Sequence, residues 1–246
     1  MKIESLGNKK VKEWAKLKLK KYRDQEGLFL IEGDHLLKEA LEKECVKEIL
    51  ASDSQFKVEG ILFYEVSEAI LKKISSQESG TTVLAVCFQL KSRAILGNVC
   101  LLDCIQDPGN LGTILRSCVA FGIDTLISSV DTVDFYNEKV LRASEGSLFH
   151  LNLMKKDLKA VIQDLKEKGY TLYATNVHKG RTIKEMTLKH KYAIIMGNEG
   201  QGVNEALQDL ADYLLYIPMS EGVESLNVGV ATSIVLYEFF MSGGNG

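Results

Sequence analysis

The stretch DPGNLGTILRSCVAFG, residues 107–122, holds one of only two prolines in a chain of 246 residues. It follows NVCLLDCI (98–105), a continuous apolar run typical of a parallel strand that is buried on both faces. Pro108 presets a turn, Asn110 is a good N-cap, and residues 111–121 are predicted to form a helix. This order of strand, loop and helix predicts one unit of a parallel α/β sheet.

The same alternation of apolar strands and helices continues along the chain. Residues 98–246 are predicted to form a parallel sheet with helices on both faces. Residues 1–90 are predicted to form a separate, small α/β domain, because the alternation begins there and is then interrupted. The interruption is QLKSRAILGN (89–98), so residues 91–97 are interpreted as a linker.

Composition excludes several classes of protein. Hydrophobic residues make up 46% and charged residues 26%, as in a soluble globular protein with a core. No apolar run reaches the ~20 residues of a membrane span, and the N-terminus has no secretory signal, so we expect a cytoplasmic protein. The five cysteines are interpreted as core residues in a reducing compartment. Neither they nor the four scattered histidines have metal-site spacing, so no metal is expected.

One segment is strongly basic although the net charge of the chain is −3. It is NKKVKEWAKLKLKKYR (8–23), in which Glu13 is the single acid. Apolar residues at helical spacing predict one basic helix, with these members on its apolar side: Val11, Trp14, Leu17 and Leu19. Two interpretations stay open, a solvated helix face and a surface that contacts nucleic-acid phosphates. The lysines concerned are Lys9, Lys10, Lys12 and Lys16.

Two more loops follow apolar strands, IMGNEGQGV (195–203) and IPMSEGVESLN (217–227). Ligands bind beyond the carboxyl ends of parallel strands, so the three loops are predicted to share one site. The glycine order G-x-x-G-x-G fits a dinucleotide loop poorly, and no lysine marks a nucleoside triphosphatase loop. Glu199 favours a cationic or hydroxyl-bearing ligand over a pyrophosphate. The apolar Ile217 and Leu226 suit a purine ring.

Arg116 lies one helical turn beyond Gly112, among apolar neighbours. An arginine in that position either forms a structural ion pair or points into the site. The residues alone leave both interpretations open.

Three motifs together resemble a known family in their order and spacing. DPGNLGTILRSCVAFG, IIMGNEGQGV and IPMSEGVESLNVGVATSIVLYEF are similar to the motifs of the SpoU (TrmH-like) RNA ribose methyltransferases of the SPOUT superfamily. VLRASEGSLFHLNL (140–153) resembles the stretch between the first two, with Glu145 as a departure at a variable position. The resemblance covers about residues 98–241. Through GLFLIEGDHLLKEAL (27–41), the N-terminal part resembles, less specifically, a ribosomal-protein-like substrate-binding domain.

The resemblance implies a fold and an activity. The fold is an α/β domain whose C-terminal segment forms a trefoil knot, preceded by a small α/β RNA-binding domain. The cofactor is S-adenosylmethionine, and the methyl group goes to a ribose 2′-hydroxyl, with ribosomal RNA favoured over transfer RNA by the appended domain. The alternative is a non-catalytic RNA-binding or ribosome-assembly protein. A nicotinamide-dependent dehydrogenase is disfavoured by the glycine order.

The resemblance also implies site residues. The catalytic set is Asn110, Arg116, Glu199, Ser225 and Asn227. The cofactor contacts are Thr175, Gly197, Ile217, Val223, Ser225 and Leu226. A guanidinium keeps its proton to a pH above ~12, so we expect Arg116 to orient the phosphate and stabilise the developing alkoxide. A role as general base is the alternative. Glu199 and Asn227 are expected to hydrogen-bond Arg116 and the cofactor.

The final helix, 227–241, is apolar on two stripes. One stripe is Val228, Ala231, Val235 and Phe239, and the other is Val230, Ile234, Tyr237 and Met241. A surface helix needs one such stripe, so we expect one to pack on its own sheet. The other needs the threaded chain or a second subunit. Related enzymes dimerise beside the knot, so the resemblance implies a homodimer.

Overall fold

The computed structural model describes residues 1–76, 80–186 and 188–243, and the chain divides into two compact units. The first unit consists of Met1–Lys91 and Asp134–Phe149. The second consists of Ser92–Val133 and His150–Gly246. A segment from the middle of the chain therefore belongs to the N-terminal unit. Residues 91–97, the predicted linker, contain no helix or strand.

The elements follow the order expected from the sequence. The strands are β1 (Lys2–Ile3), β2 (Leu28–Glu32), β3 (Val46–Ala51), β4 (Leu62–Val66), β5 (Val83–Phe88), β6 (Asn98–Leu102), β7 (Ile123–Ser128), β8 (Asn152–Lys155), β9 (Thr171–Thr175), β10 (Tyr192–Met196) and β11 (Tyr213–Leu215). The helices are α1 (Lys9–Lys16), α2 (Lys20–Glu26), α3 (Asp34–Glu42), α4 (Glu68–Ile74), α5 (Pro108–Ala120), α6 (Glu138–Ala143), α7 (Leu158–Glu167), α8 (Glu205–Gln208) and α9 (Val228–Gly243). The predicted strands and helices are present with shifted bounds, with one exception.

The first unit is built on a five-stranded sheet of order β1-β4-β3-β5-β2. Strands β1, β4 and β3 are parallel, whereas β5 is antiparallel to both of its neighbours. Its core joins apolar side chains of α1 and α4 to one face of this sheet. Trp14 packs edge-on against Tyr64 there, with 5.1 Å between the ring centroids.

The exception is the predicted single basic helix, which is wrong: the segment forms α1 and α2, separated at residues 17–19. The cause is Arg23, whose buried guanidinium donates hydrogen bonds to the carbonyl oxygens of Leu17 (2.9 Å) and Lys18 (2.7 Å). Carbonyl groups at a helix end need such partners. The same guanidinium forms an ion pair of 2.6 Å with Asp134. Leu19, predicted on the apolar side, is exposed.

The second unit is a six-stranded, wholly parallel sheet of order β11-β9-β10-β6-β7-β8, as the sequence predicts. The central strands β6 and β10 are apolar and almost completely buried, which explains their continuous hydrophobic runs. The loops that carry the first two motifs begin at their carboxyl ends, and the third follows β11. The knot implied by the resemblance stays a prediction.

Helix α5 begins at Pro108, and its N-cap is Asp107 instead of the predicted Asn110. The Asp107 carboxylate accepts a hydrogen bond of 2.8 Å from the backbone N–H of Asn110. The Asn110 side chain is therefore not used as a cap and remains available to the site.

Helix α9 packs against α5, and its two predicted apolar stripes differ in burial. Ser117 and Ser233 share a hydrogen bond of 2.7 Å across this contact. In the first stripe Val228, Val235 and Phe239 are buried and Ala231 is partly buried. All four members of the second stripe are exposed. No helix in the described ranges has the length and apolar character needed to cross a bilayer, and all five cysteines are free thiols.

The break between α1 and α2 gives a first prediction. Arg23→Met removes the partner of Asp134 and of two carbonyl groups, so the free energy of unfolding of the first unit should fall by about 3–5 kcal/mol. The matched control is Lys20→Met, which removes a half-exposed ion pair with Asp24 and should cost less than about 1 kcal/mol. Urea titration of the full chain measures both. Equal losses would contradict the role assigned to Arg23.

Candidate active site

Two of the three motif loops are joined at the carboxylate of Glu199, which lies in the loop after β10. Its Oε1 accepts hydrogen bonds from Asn110 Nδ2 at 3.0 Å and from the backbone N–H of Asp107 at 3.2 Å. Its Oε2 accepts from the backbone N–H of Gln106 at 3.4 Å. The loop after β10 is thereby fixed to the first turn of α5, where a negative charge is favourable.

The Asn110 side chain extends this contact to the third loop. Its Oδ1 accepts a hydrogen bond of 2.8 Å from Asn227 Nδ2. Asn227 Oδ1 in turn accepts from the backbone N–H groups of Gly229 (2.9 Å) and Val230 (3.2 Å), and so caps α9. The hydrogen-bonded chain Glu199–Asn110–Asn227 therefore contains one residue from each motif.

The protonation state of Glu199 follows from these contacts. Burial raises the pKa of its carboxyl, but the hydrogen bonds from Asn110 and from the backbone N–H groups of Asp107 and Gln106 together lower it more. The net pKa lies below the ordinary value for glutamate, so the group is an anion at neutral pH. A carboxylate of lowered pKa is a weak base, so this geometry suits positioning better than proton abstraction.

Residues 197–203 form a loop that closes tightly on itself. The backbones of Asn198 and Gly202 exchange hydrogen bonds of 3.0 and 2.9 Å. A Cβ atom on Gly197 would lie 2.0 Å from both the carbonyl carbon of Gly202 and the nitrogen of Val203, a distance that no side chain tolerates. Asn198 Nδ2 also donates to the carbonyl oxygen of Cys104 at 2.7 Å, which ties the loop to the end of β6.

A cavity of about 470 Å³ opens beside this loop. Five predicted cofactor contacts line it: Thr175, Gly197, Ile217, Ser225 and Leu226. Val223, the sixth, is not part of the lining and is exposed. Of the predicted catalytic residues, Glu199 and Ser225 line the cavity, Asn110 is hydrogen-bonded to Glu199, and Asn227 is hydrogen-bonded to Asn110.

Arg116 is separate from this arrangement. It is exposed on α5, it does not line the cavity, and it makes no hydrogen bond or ion pair with the residues that the structure describes. The expectation that Glu199 and Asn227 hydrogen-bond Arg116 is wrong, because both side chains bond Asn110 instead.

Sequence reasoning missed two positioning residues. Asn198 holds the glycine loop, and Asn176 donates a hydrogen bond of 2.7 Å to Gln208 at the cavity wall. Asn176 directly follows β9, so the principle that ligands bind beyond the carboxyl ends of parallel strands also points to this residue.

The cavity suits S-adenosylmethionine, which combines a purine, a ribose and a sulfonium cation. Its volume is within the usual range for cofactor sites. Ile217 and Leu226 provide apolar contacts, and Gly197 lines the cavity without a side chain. The carboxylates of Glu205 and Glu224 also line the cavity and favour a cation. In the described ranges no group of His, Cys, Asp or Glu is arranged to hold a metal ion.

Comparison with known families agrees with this geometry. Residues 97–237 match the SpoU rRNA Methylase family. The chain belongs to that family. Residues 8–85 match the MRM3-like substrate binding domain. The resemblance found in the sequence is thus confirmed.

Relatives of the SpoU family support the assignment over nearly the full chain. The 23S rRNA (guanosine(2553)-2′-O)-methyltransferase RlmP of Bacillus subtilis is 40% identical over 96% of this chain and 97% of its own. An AdoMet-bound rRNA methyltransferase from Sinorhizobium meliloti is 27% identical, with a TM-score of 0.88 over 97% of this chain and 96% of its own. A putative TrmH-family RNA methyltransferase from Porphyromonas gingivalis is 28% identical, with a TM-score of 0.88 over 96% of this chain and 98% of its own.

The closed glycine loop generates a second prediction. Gly197→Ala forces the loop open, because the added methyl group would overlap backbone atoms, so affinity for S-adenosylmethionine should fall more than about tenfold, or ~1.4 kcal/mol. Gly200→Ala is the matched control, since its Cβ would meet only Asn198 Oδ1 at 3.5 Å. Calorimetric titration measures both variants. Equal affinities would show that closure of this loop does not shape the cofactor site.

Proposed function

We propose that this protein transfers a methyl group from S-adenosylmethionine to a ribose 2′-hydroxyl of 23S ribosomal RNA, at a guanosine. The observation that carries the proposal is the chain Glu199–Asn110–Asn227, which joins the three family motifs beside one cofactor-sized cavity. Similarity to the Bacillus subtilis 23S rRNA enzyme over nearly the whole length supports the choice of RNA. A ribosomal substrate also supports a cytoplasmic location.

The roles of the residues follow from their contacts. Bound S-adenosylmethionine supplies a methyl group on a positively charged sulfur. Ionised Glu199 fixes the amide of Asn110, and Asn110 fixes Asn227, so these polar groups are oriented before RNA arrives. Ser225 lines the cavity and has its hydroxyl free among the described contacts, available to the cofactor or the ribose.

Arg116 is assigned to the RNA. Its exposed guanidinium has no structural partner in the described part of the chain. A guanidinium provides a delocalised positive charge with several hydrogen-bond donors, which suits a phosphate. We propose that Arg116 binds the phosphate next to the target ribose and stabilises the alkoxide that develops as the hydroxyl passes its proton to solvent. The ribose oxygen then bonds to the methyl carbon, the bond from that carbon to sulfur breaks, and the neutral thioether S-adenosylhomocysteine leaves. Arg116 therefore acts as a fixed positive charge and does not take up the proton.

The activity gives a third prediction. Arg116→Ala should lower methyl incorporation about 10²- to 10³-fold, the usual effect of removing one transition-state donor, while cofactor affinity stays unchanged. Arg116→Lys keeps the charge and should retain part of the activity. Incorporation of radiolabelled methyl groups into 23S RNA from a strain lacking the enzyme measures the rates, and calorimetry measures cofactor binding.

Two results would contradict these assignments. Loss of cofactor binding in Arg116→Ala would show that Arg116 contributes to the cofactor site. Tight cofactor binding by the unmodified chain without methyl incorporation would favour the non-catalytic RNA-binding alternative.

The basic segment supports contact with RNA, but its lysines have two different roles. Lys10 Nζ forms an ion pair of 2.7 Å with buried Glu48, so this lysine stabilises the first unit. The side chains of Lys9, Lys12 and Lys16 are exposed. We propose that these three meet RNA phosphates, a contact whose strength falls with added salt.

We also propose a homodimer through α9. The second stripe exposes Val230, Ile234, Tyr237 and Met241, and Phe240 on the same helix is exposed as well. Phe121 lies beside the stripe, with ring centroids 5.8 Å from Tyr237 and 6.1 Å from Phe240. Apolar residues clustered on one surface mark an interaction site, and a second copy offers the identical patch for a two-fold contact.

Sedimentation equilibrium at low micromolar concentration provides the fourth prediction. The unmodified chain should sediment as a dimer of the 27.4 kDa subunit, and Ile234→Asp, which places a charge in the patch, should sediment as a monomer. Val130→Asp changes another exposed valine of the second unit and should leave the dimer intact. A concentration-independent monomer for the unmodified chain would contradict the proposal.

A further inference from the structure

A groove of about 360 Å³ lies within the first unit, between helices α1 and α2 and the face of the sheet that they cover. Its floor is formed by Leu28, Glu48 and Val86, and Trp14 and Tyr22 line it from the helices. The cofactor cavity and the proposed dimer surface belong to the second unit. Of the three lysines assigned to RNA phosphates, Lys16 lines this groove.

The charge of the groove floor is already neutralised. Glu48 is buried, and its two oxygens accept hydrogen bonds from Lys10 Nζ at 2.7 Å and from Trp14 Nε1 at 2.6 Å. A buried carboxylate satisfied in this way does not repel an anion. Two further carboxylates line the groove. Glu13 Oε1 lies 3.9 Å from Lys9 Nζ, and the Glu26 carboxylate, next to Gln25, can accept hydrogen bonds from a ligand.

Aromatic rings lie beneath lysine ammonium groups in the groove and next to it. Lys16 Nζ lies 5.3 Å and Lys21 Nζ 5.9 Å from the centroid of the half-buried Tyr22 ring. Phe88 is 49% exposed and lies under Lys47 Nζ at 5.6 Å. Phe88 pairs with Leu28 across the strands, so its side chain shares the face that forms the groove floor.

We propose that this groove holds one unpaired nucleotide of the RNA substrate, its base against the Tyr22 ring, with Phe88 as a second stacking surface for the adjoining base. The inference rests on the proposed function and adds the form of RNA recognised. A nucleotide offers both things that the groove needs, a flat apolar face for the rings and phosphates for Lys16, Lys21 and Lys47. A perfect duplex hides the faces of its bases, so the groove selects a bulge, loop or single strand.

Trp14 provides a direct readout, because it lines the groove and is the single tryptophan of the chain. Titration of the full chain with a short single-stranded RNA should change the Trp14 emission, whereas the same strand in a perfect duplex should not. Tyr22→Ala should weaken single-strand binding roughly 5- to 100-fold, the usual effect of losing one stacked base. Tyr22→Phe keeps the ring and should bind as the unmodified chain does.

The methylation assay separates this inference from the proposed function. In Tyr22→Ala, KM for 23S RNA should rise while the rate at saturating RNA and the affinity for S-adenosylmethionine stay unchanged. Leu19→Ala, at an exposed apolar position beside Lys18, is the control and should change neither. If Tyr22→Ala does not fold, as judged by its thermal transition, the exposed Phe88→Ala replaces it in both assays, with the same expected direction.

Several outcomes would overturn the inference. The inference is wrong if single strand and duplex give equal Trp14 responses, or if both alanine variants keep their RNA affinity while methylation persists. The proposed function is unaffected by either result. A Trp14 response that the alanine variants weaken, in a chain that methylates no RNA, would support the groove and reject the methyl transfer.

Discussion

The site depends on the amide of Asn110, whose two ends have different partners. Its nitrogen donates to Glu199 and its oxygen accepts from Asn227, residues 89 and 117 positions further along the chain. Only a group with a donor and an acceptor side by side makes both contacts. An aspartate would repel the anionic Glu199, and a leucine would leave both partners unsatisfied. The sheet brings the loop after β6 and the loop after β10 to the same edge, and this amide joins them to the start of α9.

In the same loops, neighbouring polar residues have different roles. Asp107 caps α5, which leaves the Asn110 side chain to connect the motifs. In the glycine loop, Asn198 Oδ1 accepts from the backbone N–H groups of Gly200 and Gln201, and Asn198 Nδ2 donates to the carbonyl oxygen of Cys104. The neighbouring Glu199 bonds the first turn of α5. Each short loop therefore contains one polar residue that holds its own shape and at least one that bonds a neighbouring loop. A cavity assembled in this way needs little rearrangement when a ligand binds.

Much of this arrangement could be predicted from sequence. The apolar runs of β6 and β10 identify a buried parallel sheet, and the loops that follow them locate the cavity, because both signals are local. The break after Lys16 could not be predicted, since its cause is Arg23, which is held by Asp134, a residue 111 positions away. For the same reason the partners of Asn110 were missed: a hydrogen bond between distant loops leaves no periodic signal in either one. The division of the lysines had the same origin, because Lys10 is neutralised by Glu48 on a strand far along the chain.

Residues that contact each other here are far apart in the sequence, so their contacts form at different stages of synthesis. The first unit takes in Asp134–Phe149, so its packing is incomplete until translation has passed residue 149. The hydrogen-bonded chain of the site needs Asn227 and the first backbone N–H groups of α9, including that of Val230. The chain must therefore leave the ribosome at least as far as residue 230 before the three motifs are joined. A nascent chain stalled before this point, or a product cleaved ahead of α9, has the sheet strands of the second unit and an unassembled candidate site.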